Sequence, residues 1–175
     1  MDLGKKFYEY YNDYVNYCKT LSDEYQRENS LYCLDETIYS MDFYKGAAEI
    51  LKDEKNIYDI GANTNVQRFF FEQNGSNFIG IDEYSFPGGD YTKGMIIQKY
   101  PFEIGNKDAC AVSHLCLGFL IPIIDENVEY LRQFKTIIFE YPYITREEIE
   151  TLKKYFTVSK CLEDVEKGCF ILHRK

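Results

Sequence analysis

Through the first 55 residues the apolar side chains recur at helical spacing, and from residue 56 onward they form short runs separated by helical stripes. Phe7, Tyr11, Tyr14, Cys18, Leu21 and Tyr25 alternate in steps of four and three, an a/d seam of almost three heptads that predicts an N-terminal helix. Such a stripe is most often the core face of a helix lying on its own domain, and its aromatics also suit a dimer contact. A second helix is expected from near Ser40, with Phe43, Ala47, Ile50 and Leu51 inward, ending at the charged run Lys52-Asp53-Glu54-Lys55.

The pattern changes at Asn56. The run Asn56-Ile57-Tyr58-Asp59-Ile60 reads as a strand and ends in Gly61-Ala62-Asn63-Thr64-Asn65. Thr64 and Gln67 have the spacing of a capping box, Val66, Phe69 and Phe70 form the stripe of a helix packed on a sheet, and Gly75 supplies its stop. A second strand, Phe78-Ile79-Gly80-Ile81, closes on Asp82-Glu83. Strand, tight turn, helix, strand and acid make the first half of a nucleotide-binding α/β domain, and Asp82 follows Asp59 by 23 residues, about where a ribose-binding carboxylate is expected.

Beyond this unit Pro87-Gly88-Gly89 marks a loop where a helix would otherwise cross over, and Gly94–Gln98 reads as a short third strand. Asp108–Leu115 is the fourth strand, Leu117–Ile124 an apolar run interrupted by Pro122, and Asp125–Phe134 an amphipathic helix with Val128, Leu131 and Phe134 inward. Thr136–Phe139 is the fifth strand, running into Glu140-Tyr141-Pro142-Tyr143. Thr145 and Glu148 are a capping box that opens a helix through Lys154. Phe156–Leu162 and Cys169–His173 then read as a closing hairpin.

Composition narrows the functional classes. The chain has 175 residues and a net charge of −9, with 7 basic and 12 acidic groups in residues 1–55 (−5) and 13 and 17 in residues 56–175 (−4). Neither segment offers a basic face, which disfavours nucleic acid as a partner. The apolar Leu115–Ile124 run has ten residues, too few for a membrane span. The six cysteines contain no Cys-x-x-Cys pair, and together with His114 and His173 they build no zinc site. Cys110, Cys161 and Cys169 fall in predicted strands, and the charged, aromatic N-terminus is unlike a secretory signal. Reduced thiols and a cytoplasmic location are the expectation.

Asp59-Ile60-Gly61-Ala62-Asn63 followed by Asp82 resembles the first motif of the class I S-adenosylmethionine-dependent methyltransferases, in a variant with asparagine for the second glycine and Asn65 in the place of the third. Asp108–Leu115 is similar to that family's Asp-x-x-x-x-Ser/Asn strand, Tyr100-Pro101-Phe102 to its Leu-Pro-Phe, and the closing hairpin to its antiparallel last strand. The resemblance covers residues 56–175, and Gln98 or Lys99 stands where the family usually has an adenine-binding acid. It implies a Rossmann-like α/β fold, a seven-stranded, mostly parallel sheet of order 3-2-1-4-5-7-6 with the last strand antiparallel, as a single domain with residues 1–55 as a helical cover.

The resemblance also implies S-adenosylmethionine as cofactor, held by Asp59, Gly61, Ala62, Asn63, Asp82, Glu83 and Ser113. The acceptor is then a small molecule or a protein. His114, at the end of the fourth strand, is the candidate general base, since imidazole changes charge near neutral pH. Glu140, Tyr141 and Tyr143 are candidates to line an acceptor pocket. The alternative is a methyltransferase-fold protein without catalysis, acting as a binding or regulatory module, which the reduced glycine count and the short crossover favour. A nicotinamide oxidoreductase would need Gly-x-Gly-x-x-Gly, which Gly61–Val66 does not supply. The tyrosine-rich N-terminal helix is expected to cover the pocket, or alternatively to form a homodimer seam.

Overall fold

The computed structural model describes residues 4–82, 95–97, 104, 108–115, 124–160 and 168–175. Three helices lead, α1 (Gly4–Thr20), α2 (Glu24–Tyr39) and α3 (Met41–Ile50). Strands and helices then alternate: β1 (Asn56–Ile60), α4 (Phe69–Glu72), β2 (Asn77–Asp82), β3 (Met95–Ile97), β4 (Cys110–His114), α5 (Ile124–Leu131), β5 (Thr136–Glu140), α6 (Arg146–Tyr155), β6 (Phe156–Lys160) and β7 (Cys169–Arg174). The sheet order is β3-β2-β1-β4-β5-β7-β6. Neighbours from β3 to β5 pair in parallel, and β7 runs antiparallel between β5 and β6.

A parallel sheet needs cover on both faces, because its strands are apolar on both. One face carries Ile57, Phe78, Cys110, Val112 and Ile138 against α1, α3 and α4, and the other carries Ile60, Ile81, Ala111, Ile137 and Phe139 against α5 and α6. Strand alternation fixes which side chains share a face. Asp59, Asp82, His114 and Glu140 have the parity of Ile57, Phe78, Val112 and Ile138, so all four lie on the face covered by the N-terminal helices.

The N-terminal seam differs from the expectation in two ways. α1 ends at Thr20, and α2 starts after Asp23, whose Oδ1 accepts the Gln26 N–H at 2.8 Å. A side chain that caps a new helix competes with continuation of the old one, so the seam stops short of Tyr25. The buried stripe is Phe7, Tyr10, Tyr14 and Cys18, with Tyr11 partly buried, and it packs into the chain's own core rather than lying open for a partner copy. α3 begins after Ser40 as the pattern predicts, but Ile50 is exposed, and Tyr44 and Ala48 join Phe43, Ala47 and Leu51 inside.

The hydroxyls of the α1 tyrosines find partners within this packing. Tyr14 donates to the Ser30 carbonyl at 3.1 Å. Tyr10 donates to Glu72 Oε2 at 2.8 Å and accepts from Arg68 Nη2 at 2.8 Å, with the Arg68 guanidinium 4.4 Å from its ring centroid. Lys6 closes the cluster on Glu72 at 3.0 Å. The buried guanidinium also lies 3.3 Å from Glu72 Oε1, so one cation meets a carboxylate and a ring face and clasps α1 to α4.

Elsewhere the local signals hold. Gly75 has φ +81° and ends α4, and Thr145 and Glu148 form the reciprocal capping box of α6. Val128 is half-buried while Asn127 takes an inward position on α5. Cys18, Cys110 and Cys169 are buried and Cys33 is half-buried. Burial pushes the Cys110 thiol up to about 11, which leaves it protonated and inert. Cys116, Cys161, Glu83, the Tyr84–Tyr91 loop, Gln98, Lys99, Tyr100-Pro101-Phe102 and most of Leu117–Ile124 lie outside the described residues. Among the described residues no helix is long and apolar enough to cross a membrane, and no cluster of His, Cys, Asp and Glu could hold a metal.

Candidate active site

Ligands of open parallel sheets sit beyond the carboxyl ends of the strands. Here β1 ends in a turn that is bonded directly to the end of β2. Gly61 turns with φ +77°, a conformation glycine adopts without strain, and the Gly61 and Ala62 N–H groups donate to the Ile81 carbonyl at 2.8 and 3.0 Å. Asn63 follows at φ +50°, in the left-handed region that asparagine tolerates, and its N–H donates to Asp82 Oδ2 at 2.8 Å. The turn therefore brings Gly61, Ala62, Asn63 and Asp82 together.

The Thr64–Gln67 capping box does not form, because both side chains are drawn elsewhere. Thr64 Oγ1 pairs with Thr37 Oγ1 of α2 at 2.9 Å, and Gln67 Nε2 donates to Asp59 Oδ2 at 2.6 Å and to the Ala62 carbonyl at 2.7 Å. Asn65, at φ +57°, precedes a 3-10 turn at Val66–Arg68, which replaces the first turn of the expected helix. Asp59 is fully buried, and burial pushes its carboxyl up to about 7 against the opposing bonds from Gln67 and Tyr44. It sits behind the turn and holds it through Gln67.

Gly80 on β2 permits this packing. A Cβ there would stand 2.5 Å from Asn65 Oδ1 and 2.8 Å from Ala62 Cβ. Gly80→Ala is expected to destabilise the fold by about 1–3 kcal/mol, the usual cost of overpacking. Urea denaturation checks this, and an unchanged midpoint would show that the loop shifts freely.

At the ends of β4 and β5, His114 and Glu140 are register partners, with Nε2 and Oε1 4.0 Å apart. The His114 ring lies 5.8 Å from that of Phe43 and 6.4 Å from that of Tyr44, and the Tyr44 hydroxyl donates to Asp59 Oδ1 at 3.4 Å. α3 thus spans from the imidazole to the acid behind the turn. Ser113 is buried, and its hydroxyl is committed to the Ile60 carbonyl at 2.9 Å, tying β4 to β1.

No protein-family model and no curated protein matches the chain. Solved structures do share its fold. The plantazolicin methyltransferase BpumL in complex with SAH aligns at TM-score 0.55 and 12% identity over 100% of both chains, and BpumL with SAH and a monoazolic desmethylPZN analog gives the same values. The bifunctional kinase-methyltransferase WbdD aligns at TM-score 0.51 and 12% identity, covering 78% of this chain and 39% of that one. The chain therefore spans well under half the length of WbdD. It shares its fold with these methyltransferase structures.

Among the described residues the cover over the turn comes from α2 and α3, not from the tyrosines of α1. Asn63 Nδ2 reaches the Cys33 carbonyl at 3.5 Å, beside the Thr37–Thr64 pair. The sequence pattern had pointed to α1, whose hydroxyls are instead spent on Ser30, Arg68 and Glu72. Thr37, Tyr44 and Gln67 bond the turn or the acid behind it, contacts that the sequence did not reveal. For Thr37 and Tyr44 the only local signal is helical phase, which sets a face and not a partner, and the capping-box spacing of Gln67 pointed to Thr64 instead.

Proposed function

We propose that the chain binds S-adenosylmethionine at the β1 turn and transfers its methyl group to a small-molecule or protein acceptor. The observation that carries this reading is the pairing of Asp82 with the Asn63 N–H beside the Gly61 turn, at the carboxyl end of the central strands. The SAH-bound BpumL structures, which share the fold over both whole chains, support the choice of cofactor. The residues present fit such a ligand. A carboxylate with two oxygens can accept vicinal ribose hydroxyls, and the buried Asn63 Oδ1, which has no hydrogen-bond partner among the described residues, can accept a further donor. Gly61 and Ala62 let the backbone approach the methionine part. Ser113 steadies the neighbouring strand end through its bond to the Ile60 carbonyl.

Bound S-adenosylmethionine supplies an electrophilic methyl group on its sulfonium. The work left to the chain is to align and deprotonate the acceptor. His114 takes the acceptor's proton, and Glu140 on the adjacent strand stabilises the imidazolium that results. Phe43 and Tyr44 hold the ring from the α3 side and keep water from it. Tyr141 and Tyr143, whose rings meet edge to face at 5.8 Å beyond β5, border the acceptor.

Calorimetric titration with S-adenosylmethionine and with NAD tests the cofactor. Micromolar or tighter binding of the first and none of the second is expected, and binding of NAD alone would overturn the reading. Turnover to S-adenosylhomocysteine with a panel of amines, phenols and peptides then tests the base. His114→Gln is expected to lower kcat/KM about 10²–10⁴-fold on any acceptor methylated, with S-adenosylhomocysteine affinity unchanged. An unaltered pH profile in the variant would reduce His114 to a structural residue.

A further inference from the structure

α2 carries a second surface. Its inner face buries Ser30, Leu34 and Thr37 and touches the β1 turn through Thr37 and the Cys33 carbonyl. Its outer face places Tyr25, Glu28, Tyr32, Asp35 and Tyr39 at i, i+3, i+7, i+10 and i+14, and all five are exposed, the tyrosines at 78%, 62% and 83%. Seven residues fall about 20° short of two turns, so the tyrosines stay on one stripe, about 10.5 Å apart, with a carboxylate between each pair. Leu31 and Ile38 are exposed along its flank. A line of exposed aromatic rings on one helix face is a surface on which a partner can dock.

The charges decide what. The α2 segment carries four carboxylates (Glu24, Glu28, Asp35 and Glu36) against one cation, Arg27, which is directed back to the Leu21 carbonyl. Anionic lipid and nucleic-acid backbones are repelled by this stripe, and a second copy would bring like carboxylates together within a chain of net charge −9. A cationic partner matches it. A guanidinium or ammonium lying over a tyrosine face, within about 6 Å of the ring centre, has a carboxylate one turn away. We infer that the outer face of α2 is a docking surface for an Arg- or Lys-rich protein segment, seated along the Tyr25–Glu28–Tyr32–Asp35–Tyr39 stripe.

The test uses the full chain and a fluorescein-labelled amphipathic peptide with Arg at every third or fourth position and Leu between. Anisotropy should report binding that weakens severalfold between about 0.05 and 0.5 M salt, as screening shortens the reach of the charges. Affinity should fall at least tenfold in the Tyr25→Ser/Tyr32→Ser/Tyr39→Ser variant and in the Glu28→Gln/Asp35→Asn variant. All five substitutions are at exposed positions, and circular dichroism should show both variants folded. The inference fails if the same peptide with Glu for Arg binds equally, or if neither variant changes the affinity. It fails equally if the stripe proves to be a self-contact, seen as a dimer by sedimentation that the triple variant abolishes, or if the chain binds phosphatidylserine vesicles through it.

Discussion

Replacing Asp82 with alanine is expected to weaken binding of S-adenosylhomocysteine at least tenfold while leaving the protein folded. Asp82 ends β2 beside the turn and already accepts the Asn63 N–H at 2.8 Å. Its carboxylate thus does two things: it fixes the turn and it offers acceptors to the ribose. A hydrogen bond to a charged group contributes roughly 1.5–3 kcal/mol, and 1.4 kcal/mol is a factor of ten, so losing one such bond reaches the threshold and losing two exceeds it. Folding should survive, because the Gly61 and Ala62 N–H groups still hold the turn to the Ile81 carbonyl. Asp82→Asn keeps an oxygen for the Asn63 N–H and loses only the charge, so its affinity should lie between those of wild type and the alanine variant. Calorimetry on the three proteins gives the order. Equal dissociation constants with intact folds would remove Asp82 from the site.

The second large effect is on stability and its dependence on pH. Burial raises the Asp59 carboxyl from 3.8 to about 7. Between those values the folded chain holds a proton that the unfolded chain has released, so stability falls as pH rises from about 4 to about 7 and levels off above it. A shift of about three units corresponds to something on the order of 4 kcal/mol over that window, since one unit is about 1.4 kcal/mol. Asp59→Asn keeps the shape and an acceptor for Gln67 without the titration. Its urea midpoint should be insensitive to pH in this window apart from the remaining carboxylates, and above that of wild type at pH 8. Parallel pH profiles for the two proteins would show that Asp59 is not the titrating group. Gln67 and Tyr44, which bond its two oxygens, set how far the shift goes.

Much of the architecture was legible because its signals are local. The strand–turn–helix of residues 56–72 shows in a run of apolar residues, one glycine and a helical stripe, and the capping box at Thr145 and Glu148 needs only four consecutive residues. The hairpin of β6 and β7 shows in two apolar runs, and the antiparallel insertion of β7 beside β5 was an expectation from the family resemblance. Where local signals misled, another bond competed for the same side chain. Asp23 capped a new helix and cut the seam before Tyr25, and Thr64 turned to Thr37 instead of to Gln67.

The order of polar and apolar positions along this chain determined the alternation of strands and helices, and with it the spacing that sets Asp59 and Asp82 at the ends of β1 and β2. Periodicity reports burial, and burial is what an isolated stretch of sequence encodes. Only the tertiary structure decided which helix covers the turn, which tyrosines are consumed in the core, and that the carboxyl of Asp59 is held above its ordinary range. Those outcomes rest on contacts between residues far apart in sequence, such as Tyr10 with Arg68, Thr37 with Thr64 and Tyr44 with Asp59. A helical phase specifies that a side chain faces inward, and the partner it meets there is fixed only when the elements dock.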